Sequence, residues 1–293
     1  MDTHSIAGGG LAAKIKAEGA ELCSLTDDAG YQAMWPALAA WPRHAPVLFP
    51  IVGALVGDRL VHQGKEYPMG RHGFVRDCRF EWLERTQSAC RLVLTDNPAT
   101  RAMYPFAFRF EVAYAMVGGW VEITFSVTNT GDDVLPVSMG AHPAFNWPLR
   151  PGLAKEAHTL TFDADEIAPI RRVRDGLLLA ERFANPIKHG RLALNEGLFA
   201  ADAIILDQVA SRSVRFTAPG GPAIEVAWEG FPHLGVWARP GVDLLCIEPW
   251  HGFSSPEGTG GEFTDKPGLM RIEAGQSRAA MHRIRIVAGR ADG

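Results

Sequence analysis

Three short segments of this 293-residue chain combine an ionisable side chain with glycine, proline or aromatic neighbours. They are His72 in "GRHGF", His142 in "GAHPAF" and Glu248 in "CIEPWHG". A carboxylate and an imidazole in one site can act as general base and general acid, because histidine exchanges protons near neutral pH. Such a pair transfers protons unaided, so the sequence predicts no metal ion and no cofactor.

Proline residues locate two of these groups relative to the strands. His142 precedes Pro143, which cannot continue a central strand ladder, so we expect His142 at a strand end or in a loop. Glu248 closes the apolar run "DLLCI" in the same way, with Pro249 next. Charges at the ends of buried strands need partners.

The elements that position these residues are strands. Along "GWVEITFSVTN" apolar and polar residues alternate, which is the period of a strand with one buried face. The run from 106 to 116 alternates too, and "VGG" at 117–119 supplies the turn between the two. Similar pairs occur at "CRFEWLERTQSACRLVLT" and "SVRFTAPGGPAIEVAWEG", and the tail "AAMHRIRIVAG" also alternates. Helical signals are sparse, with at most a turn or two in "YQAMWPALAAW".

This pattern predicts an all-β protein, built as a large antiparallel β-sandwich. Because the chain has no glycine- or serine-rich linker and no internal repeat, we expect residues 1–293 to form a single domain. The segment "ERFANPIKHGRLALNEGLF" is predicted to be a long excursion from the sheets, where sites are often built.

Composition narrows the class of protein. Hydrophobic residues make up 47% and charged residues 21% of the chain, which is typical of a globular protein. The net charge of −4 without a long basic run argues against nucleic acid as a partner. Apolar stretches end well before the roughly 18 residues of a membrane span, and the first residues lack the pattern of a signal peptide.

The four cysteines lie far apart and form no Cys-x-x-Cys pair, so their spacing predicts neither a zinc site nor a disulfide framework. We therefore expect four reduced thiols in a cytoplasmic protein. The motifs G-x-S-x-G, H-E-x-x-H, G-x-G-x-x-G and the P-loop are all absent, which removes the commonest hydrolase, zinc-protease and nucleotide-binding hypotheses.

Taken in order, the motifs resemble those of the aldose 1-epimerase (galactose mutarotase-like) family, in particular its shorter bacterial branch related to proteins encoded with lactose genes. The similarity covers nearly the whole chain and lies in four segments. They are "LFPIVGALVGDRLVHQGKEYPMGRHGFVRD", "GAHPAFNWPL", "GVWARPGVDLLCIEPWHG" and "KPGLMRIEAGQS". This resemblance implies a twisted β-sandwich of the supersandwich type and interconversion of the α- and β-anomers of an aldose.

The resemblance also implies roles for individual residues. Glu248 matches the general base, His142 the general acid, and His72 the histidine that positions the sugar and contacts its ring oxygen. Asp202 in "LFAADAIILD" resembles the acceptor of sugar hydroxyl groups. One departure is Ala54, which stands where the family often carries an arginine that contacts the sugar.

Other residues near these motifs have both structural and functional interpretations. Arg71 and Arg76 either pair with Asp77 or contact the substrate. Trp237 and Trp250 are either core or rim aromatics, or platforms for a sugar. We count these two arginines and two tryptophans as candidate substrate-binding residues. The partner that the sequence predicts is a small sugar, an aldose, bound to a monomer or homodimer that contacts no membrane.

Alternatives to the epimerase hypothesis remain open. His233 and His251 could join the three main residues as ligands of a metal, although no H-x-H spacing occurs. A glycoside hydrolase usually needs two opposed carboxylates, and only Glu248 has a strong claim. The chain could bind a carbohydrate without turning it over, since a fold alone never proves chemistry.

The phosphorylation state of the sugar is a further open choice. A related branch acts on hexose 6-phosphates, and Arg71 and Arg76 could supply two cationic groups for the phosphate. Because Ala54 removes one cation and no basic cluster accompanies the glutamate motif, we expect a free aldohexose to be preferred.

Overall fold

The computed structural model describes residues 2–289, and strands dominate this part of the chain. The first twelve strands are β1 Thr3–Gly8, β2 Leu11–Lys16, β3 Glu21–Asp27, β4 Val47–Leu48, β5 Arg59–His62, β6 Lys65–Pro68, β7 Glu81–Arg85, β8 Ala89–Thr95, β9 Phe108–Val117, β10 Trp120–Asn129, β11 Leu135–Val137 and β12 Met139–Ala141. The others are β13 Ala144–Asn146, β14 Thr159–Phe162, β15 Val173–Arg174, β16 Leu177–Leu178, β17 Arg191–Ala193, β18 Ile204–Leu206, β19 Ser213–Thr217, β20 Ala223–Glu229, β21 His233–Trp237, β22 Leu244–His251, β23 Met270–Ile272 and β24 Ser277–Val287.

Helical structure in the described residues is limited to single turns. The α-helix α1 spans Pro98–Arg101, and its Asn97 cap accepts hydrogen bonds from the backbone N–H groups of Ala99 and Thr100. Short 3₁₀ helices occupy Val56–Asp58, Val75–Asp77, Lys155–Ala157, Glu196–Phe199 and Phe263–Asp265. No helix among residues 2–289 has the length and apolar character needed to cross a membrane.

Two large sheets form the body of the protein. The larger sheet has nine strands in the order β17-β14-β19-β20-β24-β10-β9-β8-β7. The smaller sheet follows the order β18-β21-β22-β12-β4, with β13 also paired to β22. Strands within both sheets pair antiparallel, and three small sheets, β1-β2-β3, β5-β6 and β15-β16, lie apart from them, as does the pair β11-β23. The structure is a β-sandwich of the predicted class.

The predicted hairpins are confirmed. β9 and β10 pair from Phe108 opposite Asn129 to Val117 opposite Trp120, with Gly118 and Gly119 in the turn at positive φ. β7 pairs with β8, and β19 with β20, as the sequence predicts. The alternation along β10 buries one face of the strand, because its apolar residues contact the core while the polar residues between them are half-buried.

The core lies between the two large sheets. Phe110 and Phe125 from the nine-stranded sheet belong to the same buried cluster as Leu245 and Ile247 from β22. The other face of the smaller sheet is buried as well, by a second cluster that includes Trp250 and Ile205. With both faces covered, β22 is a nearly continuous buried run, and its even-numbered residues point away from the main core.

One prediction about this strand is wrong. The sequence places Glu248 at a strand end before Pro249, whereas β22 continues through both residues to His251. The N–H of Ile247 donates to the carbonyl of Pro143 at 3.3 Å, so the position of Pro249, two residues later, faces the same neighbour. Pro249 lies in the gap between residues 244–246, which pair with β13, and residues 250–251, which pair with β12, so its missing N–H falls where the ladder is interrupted.

Candidate functional site

A cavity of about 300 Å³ lies on the face of the smaller sheet that points away from the main core. All eight residues that the sequence analysis selected line this cavity. They are His72, His142, Glu248, Asp202, Arg71, Arg76, Trp237 and Trp250. They come from five separate parts of the chain, and the fold brings them together.

His142 and Glu248 are cross-strand neighbours. Gly140 of β12 lies opposite Trp250, and Ala144 of β13 lies opposite Cys246, so the shared register places His142 opposite Glu248. Nε2 of His142 lies 3.1 Å from Oε2 of Glu248. As predicted, His142 sits in the break between two strands, where its side chain is free of the sheet ladder.

The carboxylate of Glu248 is buried and poorly satisfied. Its side chain is 1% exposed, and Oε2 has no aligned hydrogen-bond partner among the described residues, because the nearby imidazole is close but not directed along a hydrogen bond. A buried polar atom left without a partner costs roughly 1–3 kcal/mol, so this oxygen is available to a hydroxyl group entering the cavity.

Burial shifts the proton affinities of the pair in opposite directions. It raises the pKa of Glu248 well above its ordinary value, and the negative charge of Asp202 raises that pKa further. Burial also lowers the pKa of His142, to about 3, against the favourable effect of a backbone hydrogen bond. Both shifts favour a pair that holds one proton in total and carries no net charge.

His72 is held by the backbone of Gly53. The N–H of His72 donates to the carbonyl of Gly53 at 2.7 Å, and the N–H of Gly53 donates to Nδ1 of His72 at 3.1 Å. Because Nδ1 accepts, a neutral His72 carries its proton on Nε2. Burial lowers the pKa of His72 well below its ordinary value, and the positive charges of protonated His142 and of nearby arginines lower that pKa further. The lowered pKa keeps the ring neutral. The ring therefore offers a neutral N–H donor beside His142, with ring centroids 5.6 Å apart.

The glycine that follows His72 is required by close packing. Gly73 has a φ of +71°, and a Cβ atom there would lie 2.1 Å from the carbonyl oxygen of Phe49. Only glycine fits so close to the backbone of Phe49. The preceding residue, His72, has a φ of +66°, and this turn directs its side chain into the cavity. The glycine of the "GRHGF" motif thus explains the position of its histidine.

Asp202 projects from the loop before β18 with a φ of +64°. Its Oδ1 accepts the N–H of Ala203 at 2.7 Å, and Arg172 donates to the carbonyls of Asp202 at 2.7 Å and Leu198 at 2.9 Å. Arg172, which the sequence analysis did not select, therefore fixes the loop that presents the carboxylate to the cavity.

Three arginines lie at one end of the cavity. Arg71 and Arg76 were selected from the sequence, and Arg43 joins them from a distant segment. Asp77 pairs with Arg43 at 2.8 Å and only loosely with Arg76 at 3.8 Å. Arg76 donates to the carbonyl of Arg71 at 2.7 Å, and its Nε has no hydrogen-bond partner among the described residues. The pairing of Arg71 with Asp77 that the sequence left open is not among the ion pairs of residues 2–289.

Aromatic side chains form the walls and floor of the cavity. Trp41 stacks on His142 with ring centroids 5.3 Å apart, and Trp237 meets the same imidazole edge-on at 5.9 Å. Trp250 is 5% exposed and lies across two glycines of the neighbouring strands, since a Cβ at Gly140 or Gly235 would overlap its ring. Trp250 is buried and packs beneath the cavity, whereas Trp41 and Trp237 are half-exposed and can contact a ligand.

Trp41 reaches the site through contacts that no local pattern reveals. The indole N–H of Trp35 donates to the carbonyl of Trp41 at 2.8 Å, and the backbone N–H of Trp35 donates to the carbonyl of Ala144, two residues beyond His142. The segment from 31 to 41, expected to hold at most a turn or two of helix, is irregular and carries Trp41 to the active face.

Two histidines considered as metal ligands lie elsewhere. His233 accepts the N–H of Gly252 through Nδ1 at 3.1 Å, and its ring packs against His251 and Phe253. Neither His233 nor His251 lines the cavity, so the fold does not assemble the larger ligand set with His72, His142 and Glu248.

Comparison with known proteins places this chain and its fold in a family. The family model described as aldose 1-epimerase matches residues 2–260. The chain belongs to the aldose 1-epimerase family. The plasmid-encoded protein LacX of Lactococcus lactis subsp. lactis is 32% identical over 274 residues, which cover 89% of this chain and 92% of LacX.

Solved structures of family members have the same fold. A galactose mutarotase related enzyme from Lactobacillus acidophilus is 30% identical, with a TM-score of 0.92 and coverage of 98% of this chain and 97% of that chain. A galactose mutarotase-like protein from Lactobacillus casei is 26% identical, with a TM-score of 0.89 and coverage of 97% and 99%. The predicted family resemblance is confirmed.

The structure also accounts for Ala54, the departure from the usual family arginine. A Cβ built at Gly176 would lie 2.5 Å from the guanidinium of Arg71 and 3.2 Å from Cβ of Ala54, so the Arg71 side chain lies in the space beside Ala54. Gly176 leaves room for this placement. A cation is thus present near position 54, supplied by a different residue.

Proposed function

We propose that this protein is an aldose 1-epimerase that interconverts the α- and β-anomers of a free aldohexose through ring opening. The observation that carries the proposal is the 3.1 Å contact between His142 and Glu248 on the wall of the cavity. In an aldose, the C1 hydroxyl oxygen and the ring oxygen are both bonded to C1. An acid and a base in contact with each other can reach these two oxygens together.

Ring opening begins with proton removal. The Glu248 carboxylate takes the proton of the C1 hydroxyl group, and the C1–O1 bond becomes a double bond. The bond between C1 and the ring oxygen breaks, its electron pair moves to that oxygen, and the His142 imidazolium protonates it. Each positioned proton transfer contributes roughly a hundred- to ten-thousandfold to the rate.

Ring closure reverses these transfers on the other face of the carbonyl. After rotation about C1–C2, neutral His142 takes the proton from the chain hydroxyl as its oxygen attacks C1, and the Glu248 carboxylic acid returns a proton to O1. The pair holds one proton before and after each step. The opposite pKa shifts of Glu248 and His142 favour this one-proton state with the proton on Glu248, so ring opening through the Glu248 carboxylate first requires that proton to pass to His142 across their 3.1 Å contact.

The remaining residues bind and orient the sugar. We propose that Nε2–H of His72 donates to the ring oxygen or a neighbouring hydroxyl group, and that the Asp202 carboxylate accepts sugar hydroxyl groups. Trp41 and Trp237 offer aromatic faces to the C–H side of the ring. The two proton transfers are assigned to protein side chains, so the mechanism calls for no metal or cofactor.

Polarimetry tests the proposed activity directly. Freshly dissolved α-D-glucose or α-D-galactose relaxes to its anomeric equilibrium without help, and the protein should accelerate this relaxation in proportion to its concentration. Unchanged relaxation over a broad panel of free and phosphorylated aldoses, with sugar binding still measurable, would favour a carbohydrate-binding protein without turnover instead.

A second candidate substrate is a hexose 6-phosphate, and one observation favours it. Arg43, Arg71 and Arg76 all line the cavity, and among residues 2–289 only Asp77 forms ion pairs with them, which leaves a local excess of positive charge. Guanidinium groups bind phosphate oxygens through charge-assisted hydrogen bonds. A comparison of kcat/KM for glucose and glucose 6-phosphate decides between the two substrates.

A further inference from the structure

A buried cysteine lies beside the acid-base pair. Cys246 and Glu248 are two residues apart on β22 and therefore point to the same face of the sheet. Sγ of Cys246, a carboxylate oxygen of Glu248 and a ring nitrogen of His142 all lie within 4.8 Å of one another, and all three residues are buried. Cys246 does not line the cavity and has no role in the proposed proton transfers.

These three donors match the ligand preferences of zinc. Zn²⁺ binds thiolate, imidazole and carboxylate groups at about 2.0–2.3 Å, which at tetrahedral angles requires donors roughly 3.5 Å apart. His142 and Glu248 already lie 3.1 Å apart, and Sγ of Cys246 lies within 4.8 Å of both, so the three donor atoms need only a small further approach to reach this spacing. Oε2 of Glu248, which has no hydrogen-bond partner among the described residues, is free to coordinate the metal.

Charge balance and access also favour such a site. A divalent cation bound by one thiolate and one carboxylate forms a neutral unit, which lowers the cost of burial. Because His142 and Glu248 line the cavity, the metal can enter from it, and a fourth position opens toward it. Cysteine spacing could not predict this site, because only one of the four cysteines takes part in it.

We propose that His142, Cys246 and Glu248 form a Zn²⁺-binding site whose occupancy inhibits the protein. The metal binds the lone pairs that the base and the acid need for proton transfer, and it fills the space next to the C1 position of a bound sugar. Metal binding and sugar turnover are therefore mutually exclusive, and a chelator restores activity to a metal-inhibited sample.

Cobalt(II) gives a test that does not depend on catalysis. Metal-free protein titrated with Co²⁺ should develop a thiolate-to-cobalt charge-transfer band and the visible bands of tetrahedral Co²⁺, with saturation at one equivalent. Zn²⁺ should displace the cobalt and remove both signals. A protein without epimerase activity would still show these spectra, so failure of the metal site and failure of the proposed function are distinguishable.

Two cysteine variants separate this site from other thiols. Cys246→Ala should lose the charge-transfer band and need at least tenfold more Zn²⁺ for half-inhibition, while its kcat without metal stays near that of the wild type. Cys90→Ala removes another buried cysteine, on β8 and away from the cavity, and should keep the wild-type response.

The result that would overturn the proposal is equal zinc sensitivity of wild type and Cys246→Ala, or a cobalt spectrum without a thiolate band. Circular dichroism checks that each variant is folded. If Cys246→Ala does not fold, Cys246→Ser takes its place, because a serine hydroxyl is a much weaker zinc ligand than a thiolate and should give the same loss.

Discussion

His142 stands directly opposite Glu248, at the break between β12 and β13, and their side chains meet with Nε2 of His142 3.1 Å from Oε2 of Glu248. The register that pairs Gly140 with Trp250 resumes unchanged where Ala144 pairs with Cys246. The residues in between keep their alignment without a continuous ladder. The alternation of β22 then sends Glu248 to the cavity and Ile247 to the core.

Removing either proton-transfer group should lower turnover strongly without loss of the fold. We expect Glu248→Gln and His142→Asn each to lower kcat by roughly a hundred- to ten-thousandfold in polarimetry. Burial raises the pKa of Glu248, so its carboxylate destabilises the folded state at pH values above the ordinary glutamate pKa. Glu248→Gln should therefore keep or raise Tm.

Glu166→Gln is the matched control for this prediction. Glu166 is also a buried carboxylate, but its two oxygens accept the backbone N–H groups of Ala210 and Ser211 at 3.0 and 2.8 Å, and it does not line the cavity. This variant should lower Tm and leave kcat near the wild-type value. Full activity in a folded Glu248→Gln protein would exclude Glu248 as the base.

The pH dependence of kcat should show a wide plateau. The active pair holds one proton, and it gains a second only when His142 is protonated, which its lowered pKa of about 3 moves to acidic pH. It loses the shared proton only above the raised pKa of Glu248. We expect kcat, corrected for the uncatalysed reaction, to stay level through pH 6.5. A decline with its midpoint at that pH would indicate an imidazole titrating with its ordinary value.

Two substitutions can divide the roles of the His72 ring. The side-chain oxygen of His72→Asn can replace Nδ1 as acceptor for Gly53, but the variant has no donor in place of Nε2–H. His72→Gln extends an amide donor toward the cavity. We expect His72→Asn to raise KM and lower kcat, each by roughly tenfold or more, and His72→Gln to lose less. A larger loss in His72→Gln than in His72→Asn would mean that the Gly53 contact, and not the donor, is what matters.

The alternation of apolar residues predicts the strands well and the site only in part. β9, β10 and the hairpins follow from local periodicity, and the eight residues selected by motif share one cavity. The sequence analysis did not select Arg43 and Trp41, because they lie in an irregular segment. Such a segment has no regular alternation of apolar residues that would predict which side chains are buried. Their place depends on distant contacts, including the hydrogen bond from Trp35 to the carbonyl of Ala144.

Pro249 shows the limit of a local rule. Proline usually ends a central strand, and on that basis Glu248 was expected at a strand end. The strand continues because Pro249 lies in the gap between the residues of β22 that pair with β13 and those that pair with β12. Only the pairing of distant strands contains that information, and no single segment of the sequence reveals it.

We also propose that residues 1–293 unfold as one domain. A single buried cluster joins Ile6 near the start, Phe216 in the nine-stranded sheet, Leu245 in the smaller sheet and Ile284 near the end. Thermal unfolding followed by far-ultraviolet circular dichroism and by tryptophan fluorescence should give coincident single transitions. Two transitions separated in temperature would contradict this prediction.

The last prediction concerns the substrate, where sequence and cavity favour different choices. In the sequence, Ala54 in place of the usual family arginine and a glutamate motif without a basic cluster beside it favour a free aldohexose, and we expect kcat/KM for glucose or galactose to exceed that for the 6-phosphate. Arg76→Ala should then change the two values by similar factors, because no phosphate contact is lost. Arg79→Ala is the control, since Arg79 pairs with Asp2 and Glu18 outside the cavity.

A preference for the 6-phosphate would be recognised from the same measurements. If the 6-phosphate is turned over much faster, and Arg76→Ala or Arg43→Ala removes only that advantage, the arginines bind the phosphate group. The loss should then shrink as ionic strength rises, because salt screens an attraction between a guanidinium and a dianion at a half-exposed site. A salt-dependent preference for the 6-phosphate that is present in the wild type and lost in these two variants would replace the free aldohexose with its 6-phosphate as the substrate, while the roles of His142 and Glu248 at C1 would stand.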